Sequence, residues 1–365
     1  MYPEIGFEVH RTADLVSKKL ASYGLDVKTN IGKTGVVADL ISSGAKKRIA
    51  LRADMDALPI QEINTHSYAS RIPNQAHLCG HDAHTAMLLG AAKILSSISE
   101  TLNANVRFIF QPCEEMWPPG AQAMIADNVL EGVDEIYALH VWPTLPVGKF
   151  GICMGPAMAQ ADGFEIEIIG KGGHAATPHT AIDPIVIATQ VIQSLQTIVS
   201  RNIDSNHSAV LTVTQIHAGS NFSVVPDQCK ISGTVRTYEP EIQRFICRRM
   251  KEVVEGIADS HGAKGVLKYL EGSPPVYNHY ESTMKAKNLA LDLVGENSID
   301  FPAQKMMFGE DFSYYTNEVN GCFIHLGCRN EENGIVHLLH DPHFDIDEEC
   351  LIYGAAMHVE LALNT

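Results

Sequence analysis

Hydrophobic residues along the first 160 positions change between two spacings, and this change predicts helices and strands in turn. A helix is predicted at residues 12–20, and strands are predicted at residues 36–41, 48–53, 106–110 and 135–139. Gly24 follows the helix as a typical stop signal. The last two strands are short, nearly continuous apolar runs, a pattern of strands buried on both faces of a parallel or mixed sheet. We therefore expect an α/β domain in which helices flank a mixed central sheet.

A different pattern begins near residue 160. Strands are predicted at residues 164–169, 209–216, 229–237 and 265–270, and helices at residues 182–199 and 241–260. Their order, β-α-β-β-α-β, is that of a ferredoxin-like unit. The Gly- and Pro-containing segment at residues 271–275 predicts the linker that returns the chain to the first domain. A helix at residues 282–294, a strand at 322–326 and a helix at 348–363 would complete that domain.

These elements predict a discontinuous domain of residues 1–160 and 273–365, with residues 161–272 inserted as a smaller α+β domain. A length of 365 residues exceeds what one hydrophobic core usually supports, which agrees with two domains. The formal net charge of −16 disfavours nucleic acid and anionic membrane surfaces as partners, because both would repel the protein. A small-molecule substrate fits this charge better.

The cysteines indicate a compartment. Eight cysteines are scattered without a paired spacing, and the sequence has neither a signal-peptide core nor an apolar run of membrane-spanning length. Disulfides are rare in reducing compartments. The sequence therefore predicts a reduced, cytoplasmic protein that does not act at a membrane.

Candidate metal ligands recur where the predicted elements begin or end. Cys79, His81 and His84 precede or open a helix predicted at residues 85–95, Glu114 and Glu115 follow one strand, and His140 follows the next; His340 lies near the C-terminus. Each alone has an ordinary explanation, such as a buried Cys beside a hydrogen-bonded His. Together they favour a metal site, since Cys, His and carboxylate suit zinc-type ions. Ligands also collect at the carboxyl ends of strands in such sheets.

Several ordered motifs resemble the M20 metallopeptidase and amidohydrolase group, in its aminoacylase and hippurate-hydrolase branch, which includes plant auxin-conjugate hydrolases. Besides the segments above, the motifs are Pro3-Glu4-Ile5-Gly6-Phe7, Leu51-Arg52-Ala53-Asp54-Met55-Asp56-Ala57-Leu58-Pro59, Gly172-Gly173-His174, Gly309-Glu310-Asp311-Phe312 and His340-Asp341-Pro342. The resemblance implies a zinc-peptidase-like catalytic domain and an inserted dimerisation domain. The family usually carries a short helix before the first motif, so a shortened N-terminus is expected.

The resemblance also implies a dinuclear centre of two divalent ions, zinc, manganese, cobalt or nickel. The positions that match its ligands are Cys79, His81, Glu115, His140 and His340. Glu114 matches the residue that moves a proton from water to the leaving amine. If the chain is extended here, the side chains of Glu114 and Glu115 diverge, so one can bind metal while the other serves as base. The alternative is a pair of solvated surface carboxylates.

Supporting roles are expected for neighbouring residues. Asp56 is assigned to the orientation of a ligand imidazole. Asp82 and His84 could support the centre in the same manner, although His84 at helical spacing is equally compatible with simple packing.

Three residues of the inserted domain match substrate-contacting positions. The resemblance makes His174 a donor to the developing oxyanion, and Arg236 the guanidinium that holds a substrate carboxylate. Ser223 stands where the family usually has a substrate-contacting Asn. The alternatives are that His174 stabilises the Gly172-Gly173 turn of its own subunit and that Arg236 is an unpaired surface residue.

The segment after the strand at residues 106–110 departs from the family pattern. Cys113 replaces the usual Ala, and Met116-Trp117-Pro118-Pro119 replaces a glycine-rich turn. A bulkier, stiffer loop beside Glu114 is expected to narrow the pocket or to favour an apolar acyl group.

The predicted activity is metal-dependent hydrolysis of N-acyl-L-amino acids, of the N-acetyl or N-benzoyl type. A dipeptidase or carboxypeptidase with the same dinuclear site is the nearest alternative. A non-catalytic protein that binds metal or an acyl-amino acid is the alternative of another class, and the presence of Glu114 beside five ligands argues against it. A homodimer or higher homo-oligomer is expected, with His174 serving the neighbouring subunit's centre.

Overall fold

The structure is a computed structural model that describes residues 1–365. The chain forms two compact units, a larger one of Met1–Ala157, Val276–Lys305 and Asp311–Thr365 and a smaller one of Met158–Pro275 and Met306–Glu310. The predicted boundaries left residues 306–310 in the larger domain, and the structure groups them with the smaller unit instead. The physical reason is that the backbone amide of Ala159 donates to the carbonyls of Met306 and Phe308.

Eight α-helices lie along the chain. They are α1 (His10–Ser22), α2 (His81–Ser97), α3 (Gly120–Ala126), α4 (Pro184–Thr197), α5 (Pro240–Ser260), α6 (Tyr280–Val294), α7 (Phe312–Glu318) and α8 (Cys350–Leu363). The Pro3-Glu4 motif caps the first of them, since the Glu4 carboxylate accepts the backbone amides of Arg11 at 2.9 Å and Thr12 at 2.8 Å. None of the helices is long and apolar enough to cross a membrane.

Sixteen strands accompany the helices. They are β1 (Asp26–Ile31), β2 (Gly35–Leu40), β3 (Lys47–Asp54), β4 (Ala104–Gln111), β5 (Glu135–Pro146), β6 (Phe150–Ile152), β7 (Gly155–Met158), β8 (Gln160–Ile169), β9 (Gly173–His174), β10 (Ala209–Ala218), β11 (Val224–Val225), β12 (Gln228–Thr237), β13 (Lys264–Ser273), β14 (Val276–Asn278), β15 (Ile299–Asp300) and β16 (Asn320–Arg329).

The larger unit is built on an eight-stranded sheet in the order β1-β2-β4-β3-β5-β16-β6-β15. Strands β4, β3, β5 and β16 run parallel, while β1–β2, β2–β4 and β16–β6 are antiparallel, so the predicted mixed sheet is confirmed. Leu51, Phe108 and Phe110 are fully buried in its core together with residues of α2 and α8. Burial of β4 and β5 agrees with the nearly continuous apolar runs predicted for them.

The parallel strands bring their carboxyl ends to one edge of this sheet. Asp54 at the end of β3 lies in register with Gln111 at the end of β4. The segments that leave these strands carry Asp56 and the Glu114-Glu115 pair. The fold thus places Asp56, Glu114 and Glu115 at the edge where parallel sheets usually bind small molecules.

The smaller unit contains a four-stranded antiparallel sheet in the order β10-β12-β8-β13. Helices α4 and α5 pack on it, and α5 buries Ile246, Met250, Val254 and Ala258 at a spacing of four residues. The chain order β8-α4-β10-β12-α5-β13 confirms the predicted ferredoxin-like unit.

The predicted linker at residues 271–275 is wrong in its first half, because β13 continues to Ser273. Pairing of β13 with β8 resumes at Ser273 and Ala161 after an irregularity that contains Gly272. The amide of Gly272 donates to Asp162 Oδ1 at 2.9 Å, and a Cβ at this position would lie 1.8 Å from the carbonyl oxygen of Ala161. Gly272 therefore permits a close backbone approach within a strand rather than marking the strand's end.

Candidate metal centre

The turn into α2 places Cys79 and His81 on the same buried site. Gly80 between them has φ +84°, and a Cβ there would lie 2.2 Å from Val141 Cγ2. Only glycine fits both the left-handed backbone and this close packing. Cys79 is 8% exposed and His81 is fully buried, so two ligand-type side chains lie deep in the molecule.

His140 presents one defined ring nitrogen to this site. Its Nδ1 lies 2.8 Å from the carbonyl oxygen of Val141, and because a carbonyl can only accept, Nδ1 must carry the proton. Nε2 therefore holds the lone pair, and it lies 3.5 Å from Cys79 Sγ. A sulfur and a nitrogen ligand of one tetrahedral zinc ion would also lie about 3.5 Å apart. The Cys79–His140 pair is spaced for a metal ion.

Glu115 and His340 form a second ligand pair. Glu115 Oε1 lies 3.2 Å from His340 Nε2, near the separation of about 3.3 Å that nitrogen and oxygen ligands of a tetrahedral ion adopt. The backbone amide of His340 donates to the carbonyl of Leu78 at 2.7 Å. The C-terminal segment is thus fixed to the residue that precedes Cys79.

These pairs belong to two groups of ligand atoms that share one residue. In each group, Cys79-His81-His140 and Cys79-Glu115-His340, the ligand atoms lie within 4.8 Å of one another. Both ring nitrogens of His81 are buried without a hydrogen bond, and the nearest carboxylate oxygens are 3.5 Å (Asp56) and 3.7 Å (Asp54) away. Because buried polar atoms are normally satisfied, the two groups that share Cys79 fit a dinuclear metal centre.

Electrostatics at the site favour positive charge. Burial raises the pKa of the Cys79 thiol well above its usual value, and Glu115 and Glu114 raise it further. Burial opposes a charged His81, yet Asp54 and the other carboxylates outweigh it and raise the pKa of His81 to about 10. A cation in the cluster would take the place of these protons and stabilise the thiolate.

Glu114 and Glu115 lie on a turn, not on the extended chain considered from the sequence. Cys113 before them has φ +57°, and ligand oxygens of both glutamates lie within 4.8 Å of a His81 ring nitrogen and of each other. The two side chains therefore converge on the same site.

Asp56 holds this turn. Its Oδ1 and Oδ2 accept the backbone amides of Glu114 at 3.0 Å and Glu115 at 3.1 Å, and Oδ1 lies 3.5 Å from His81 Nδ1. The buried Asp56 carboxylate thus faces the His81 imidazole, as expected from the sequence, and it also fixes the backbone of Glu114 and Glu115. Asp82, by contrast, is exposed and accepts the backbone amide of Ala83, so the structure does not bring it to the ligands.

Asp54 and His84, rather than Asp82, form the hydrogen bonds that hold the elements around the candidate centre. His84 Nδ1 lies 2.6 Å from Asp54 Oδ1, and His84 Nε2 accepts the backbone amide of Val141 at 2.9 Å. Although the ligand atoms of Asp54, His81 and His84 also cluster within 4.8 Å, both nitrogens of His84 are already engaged. His84 therefore links α2 to the strand that carries His140 and is poorly placed to bind an ion itself.

A buried ion-pair network behind the centre was missed from the sequence. Arg52 is 1% exposed, and it donates to Asp54 at 2.6 Å and to Asp311 at 2.8 Å. Gln111 Nε2 donates to both Asp311 oxygens. An arginine inside the apolar run of β3 was the available signal, since a buried charge requires a partner.

His174 and Ser223 lie together in the smaller unit. His174 on β9 pairs with Val224 on β11, and the amide of Ala175 donates to the carbonyl of Ser223 at 3.0 Å. His174 is exposed, and its Nδ1 accepts the amide of Ala176 at 3.1 Å. In a neutral ring the proton is then on Nε2, which leaves a donor available to a ligand.

Arg236 lies on a different element, strand β12. Its Nη1 donates to the carbonyls of Asp162 at 3.2 Å and Val235 at 3.1 Å and contacts the Thr234 hydroxyl. The side chain is half-buried, and burial lowers the pKa of its guanidinium. Arg236 is therefore not the unpaired surface residue of the alternative interpretation.

Comparison with known proteins gives a family match and relatives that cover 77% and 99% of this chain. The family described as peptidase family M20/M25/M40 matches residues 50–364. An N-acyl-L-amino acid amidohydrolase of Geobacillus stearothermophilus is 45% identical over 280 residues, which cover 77% of this chain and 76% of that protein. An N-acetylcysteine deacetylase of Bacillus subtilis is 39% identical over 363 residues, covering 99% of this chain and 93% of the relative.

A solved structure is also similar. The YxeP protein of Bacillus subtilis, described as a dinuclear metal-binding peptidase from the M20 family, superposes with a TM-score of 0.86 at 35% identity. The match covers 100% of this chain and 94% of that chain.

Proposed function

The chain belongs to peptidase family M20/M25/M40, and on this basis we propose that it hydrolyses the amide bond of N-acyl-L-amino acids. The products would be a carboxylate and the free amino acid, with acetyl or benzoyl as the acyl group. The observation that carries this proposal is the position of Glu114 beside two ligand groups that share Cys79. The names of the amidohydrolase and deacetylase relatives support the substrate class.

The protein is a metal-dependent hydrolase with a dinuclear centre. Its ions would be held by Cys79, His81, His140, Glu115 and His340. When bound, divalent ions supply Lewis acidity that polarises the scissile carbonyl and lowers the pKa of water. In the proposed reaction Glu114 takes a proton from the attacking water as the new C–O bond forms. Glu114 then gives that proton to the amine nitrogen as the C–N bond breaks.

Substrate recognition is proposed for the smaller unit. The Nε2–H of His174 would donate to the developing oxyanion, which the hydrogen bond at its Nδ1 supports. Arg236 would pair with the substrate carboxylate, and Ser223, close in the chain to the partner strand of His174, would contact the substrate. His174 is proposed to serve the centre of a neighbouring subunit.

A homodimer or higher oligomer is proposed because the sheet of the smaller unit has an open edge. Strand β10 pairs with β12 on one side and ends the sheet on the other. Its second half is exposed, with Ile216 48% accessible. An exposed edge strand of this length presents unpaired backbone N–H and C=O groups, and the same strand of a second subunit could pair with them.

A cytoplasmic location is also proposed. All eight cysteines are free, and seven of them are buried. Since thiolate ligation by Cys79 requires a reduced cysteine, a reducing compartment suits the centre.

Dipeptidase or carboxypeptidase activity is the second candidate, and the description of the YxeP protein as a peptidase favours it. A panel of N-acetyl-amino acids, N-benzoyl-amino acids and dipeptides, assayed by mass spectrometry with zinc, manganese or cobalt, separates the candidates. We expect release of free amino acids from the N-acyl substrates. Preferential cleavage of dipeptides would replace the proposal, and no cleavage of any substrate with two ions bound would indicate a binding protein.

A further inference from the structure

A second group of metal-ligating side chains lies outside the dinuclear centre. His337, Asp341 and His343, called here the His-Asp-His cluster, lie on the segment that contains His340. Their side chains are 40%, 38% and 50% exposed. None of the five proposed ligands of the dinuclear centre belongs to this cluster.

The cluster is organised around one carboxylate. Asp341 Oδ1 lies 3.2 Å from His343 Nδ1, and Asp341 Oδ2 lies 3.5 Å from His337 Nδ1. The two imidazole rings stack with their centroids 4.8 Å apart and 23° between their planes. The backbone amide of His343 also donates to Asp341 Oδ1 at 2.8 Å, which fixes the carboxylate relative to the second imidazole.

These separations suit a metal ion. Nitrogen and oxygen ligands at about 2.0–2.1 Å from a tetrahedral ion lie about 3.3 Å apart. Each Asp341 oxygen faces one imidazole near that separation, Oδ1 at 3.2 Å from His343 Nδ1 and Oδ2 at 3.5 Å from His337 Nδ1. One ligand atom from each of the three residues lies within 4.8 Å of the others. Solvent exposure leaves room for water to complete the coordination.

We infer that the His-Asp-His cluster is a third divalent-cation site, selective for borderline ions such as zinc or nickel over magnesium or calcium. Two imidazoles favour zinc, copper or nickel, whereas magnesium and calcium prefer oxygen ligands. An ion bound there would cross-link His337 and His343, which lie on either side of His340 in the sequence. The competing explanation is a hydrogen-bonded cluster in which both imidazoles donate to Asp341 and no ion binds.

Metal counting by equilibrium dialysis tests the inference. The enzyme loaded with its two tightly bound ions is dialysed against zinc at increasing micromolar concentrations, and bound zinc is measured by elemental analysis. We expect wild type to bind one ion more per chain than His343→Ala and His337→Ala, whose affinity at this site should fall roughly 10-fold or more.

His66→Ala is the matched control, because His66 also faces a carboxylate, Asp345 at 3.0 Å, and has similar exposure, but it lies outside the cluster. It should retain the extra ion. Circular dichroism checks that each variant is folded. The inference is overturned if wild type binds no additional zinc, if both cluster variants bind as much as wild type, or if His66→Ala loses the ion equally.

Discussion

Single side chains at the candidate centre make distinct contacts, and the proposed function gives them distinct tasks. Asp56 uses both oxygens to fix the backbone of Glu114 and Glu115, while its Oδ1 faces His81. Cys79 belongs to both ligand groups. Substitutions should therefore distinguish proton transfer at Glu114 from metal binding at Cys79.

Glu114→Gln should retain both ions and lose most turnover, because the amide keeps the shape of the side chain but cannot carry the proton. General acid–base catalysis contributes about 10²- to 10⁴-fold, so kcat should fall within that range. Steady-state assays beside elemental analysis measure both properties. Activity close to wild type in a fully metal-loaded variant would refute the role of Glu114.

Cys79 should become accessible to alkylation when the ions are removed. A bound ion would occupy the thiolate. Because burial and the two glutamates raise the pKa of the metal-free thiol, the alkylation is run at alkaline pH, where part of the thiol at this 8% exposed cysteine ionises. Mass spectrometry after treatment with an alkylating agent, with and without chelator, gives the result. Partly exposed Cys247 should react in both samples and serves as the control. Equal protection of Cys79 in both samples would identify it as a buried structural residue.

At the scale of elements, the turn into α2 is the part of the fold on which the centre most depends. This turn places Cys79 and His81 side by side in the buried site. One helical turn later, His84 Nε2 accepts a hydrogen bond from the backbone amide of Val141. The sequence placed the start of this helix four residues too late, since α2 already begins at His81. Helical spacing alone could not reveal that the glycine before His81 is required by packing.

Gly80→Ala should destabilise the protein and weaken metal binding. The left-handed backbone alone costs a side chain about 1–2 kcal/mol, and the clash with Val141 adds to it. Gly44→Ala is the control, because Gly44 has φ +82° and a Cβ added there would have no atom within 4 Å. Urea unfolding should show a larger loss for Gly80→Ala, with metal release in that variant alone. Equal losses would mean that packing at Gly80 is unimportant.

In the whole molecule, the sequence predicted the mixed sheet and the ferredoxin-like unit, but it did not predict the contacts that surround the candidate centre. Apolar runs identified β4 and β5 because these strands are buried on both faces. The Arg52–Asp311 pair was not predicted, since its partners are far apart in sequence and only the folded sheet joins them. The grouping of residues 306–310 with the smaller unit depends on backbone hydrogen bonds, which leave no periodic signal.

Subunit mixing tests the proposed contribution of His174 to a neighbouring centre. Glu114→Ala and His174→Ala chains, each expected to be inactive alone, are co-expressed so that heterodimers form. If His174 acts across the interface, one centre in each heterodimer has an intact Glu114 and receives an intact His174, and part of the activity returns. Verified heterodimers without activity would show that His174 acts within its own subunit or does not take part.

Metal titration of the metal-free protein, with hydrolysis and bound metal followed together, is the most direct test of the proposed metal-dependent hydrolysis. We expect negligible cleavage of N-acetyl- and N-benzoyl-amino acids by the metal-free chain. Cleavage should then rise as the first two ions bind per chain, because both ligand groups around Cys79 must be filled. Full hydrolysis without metal, or two bound ions with no hydrolysis of any N-acyl-amino acid, would contradict the proposed function.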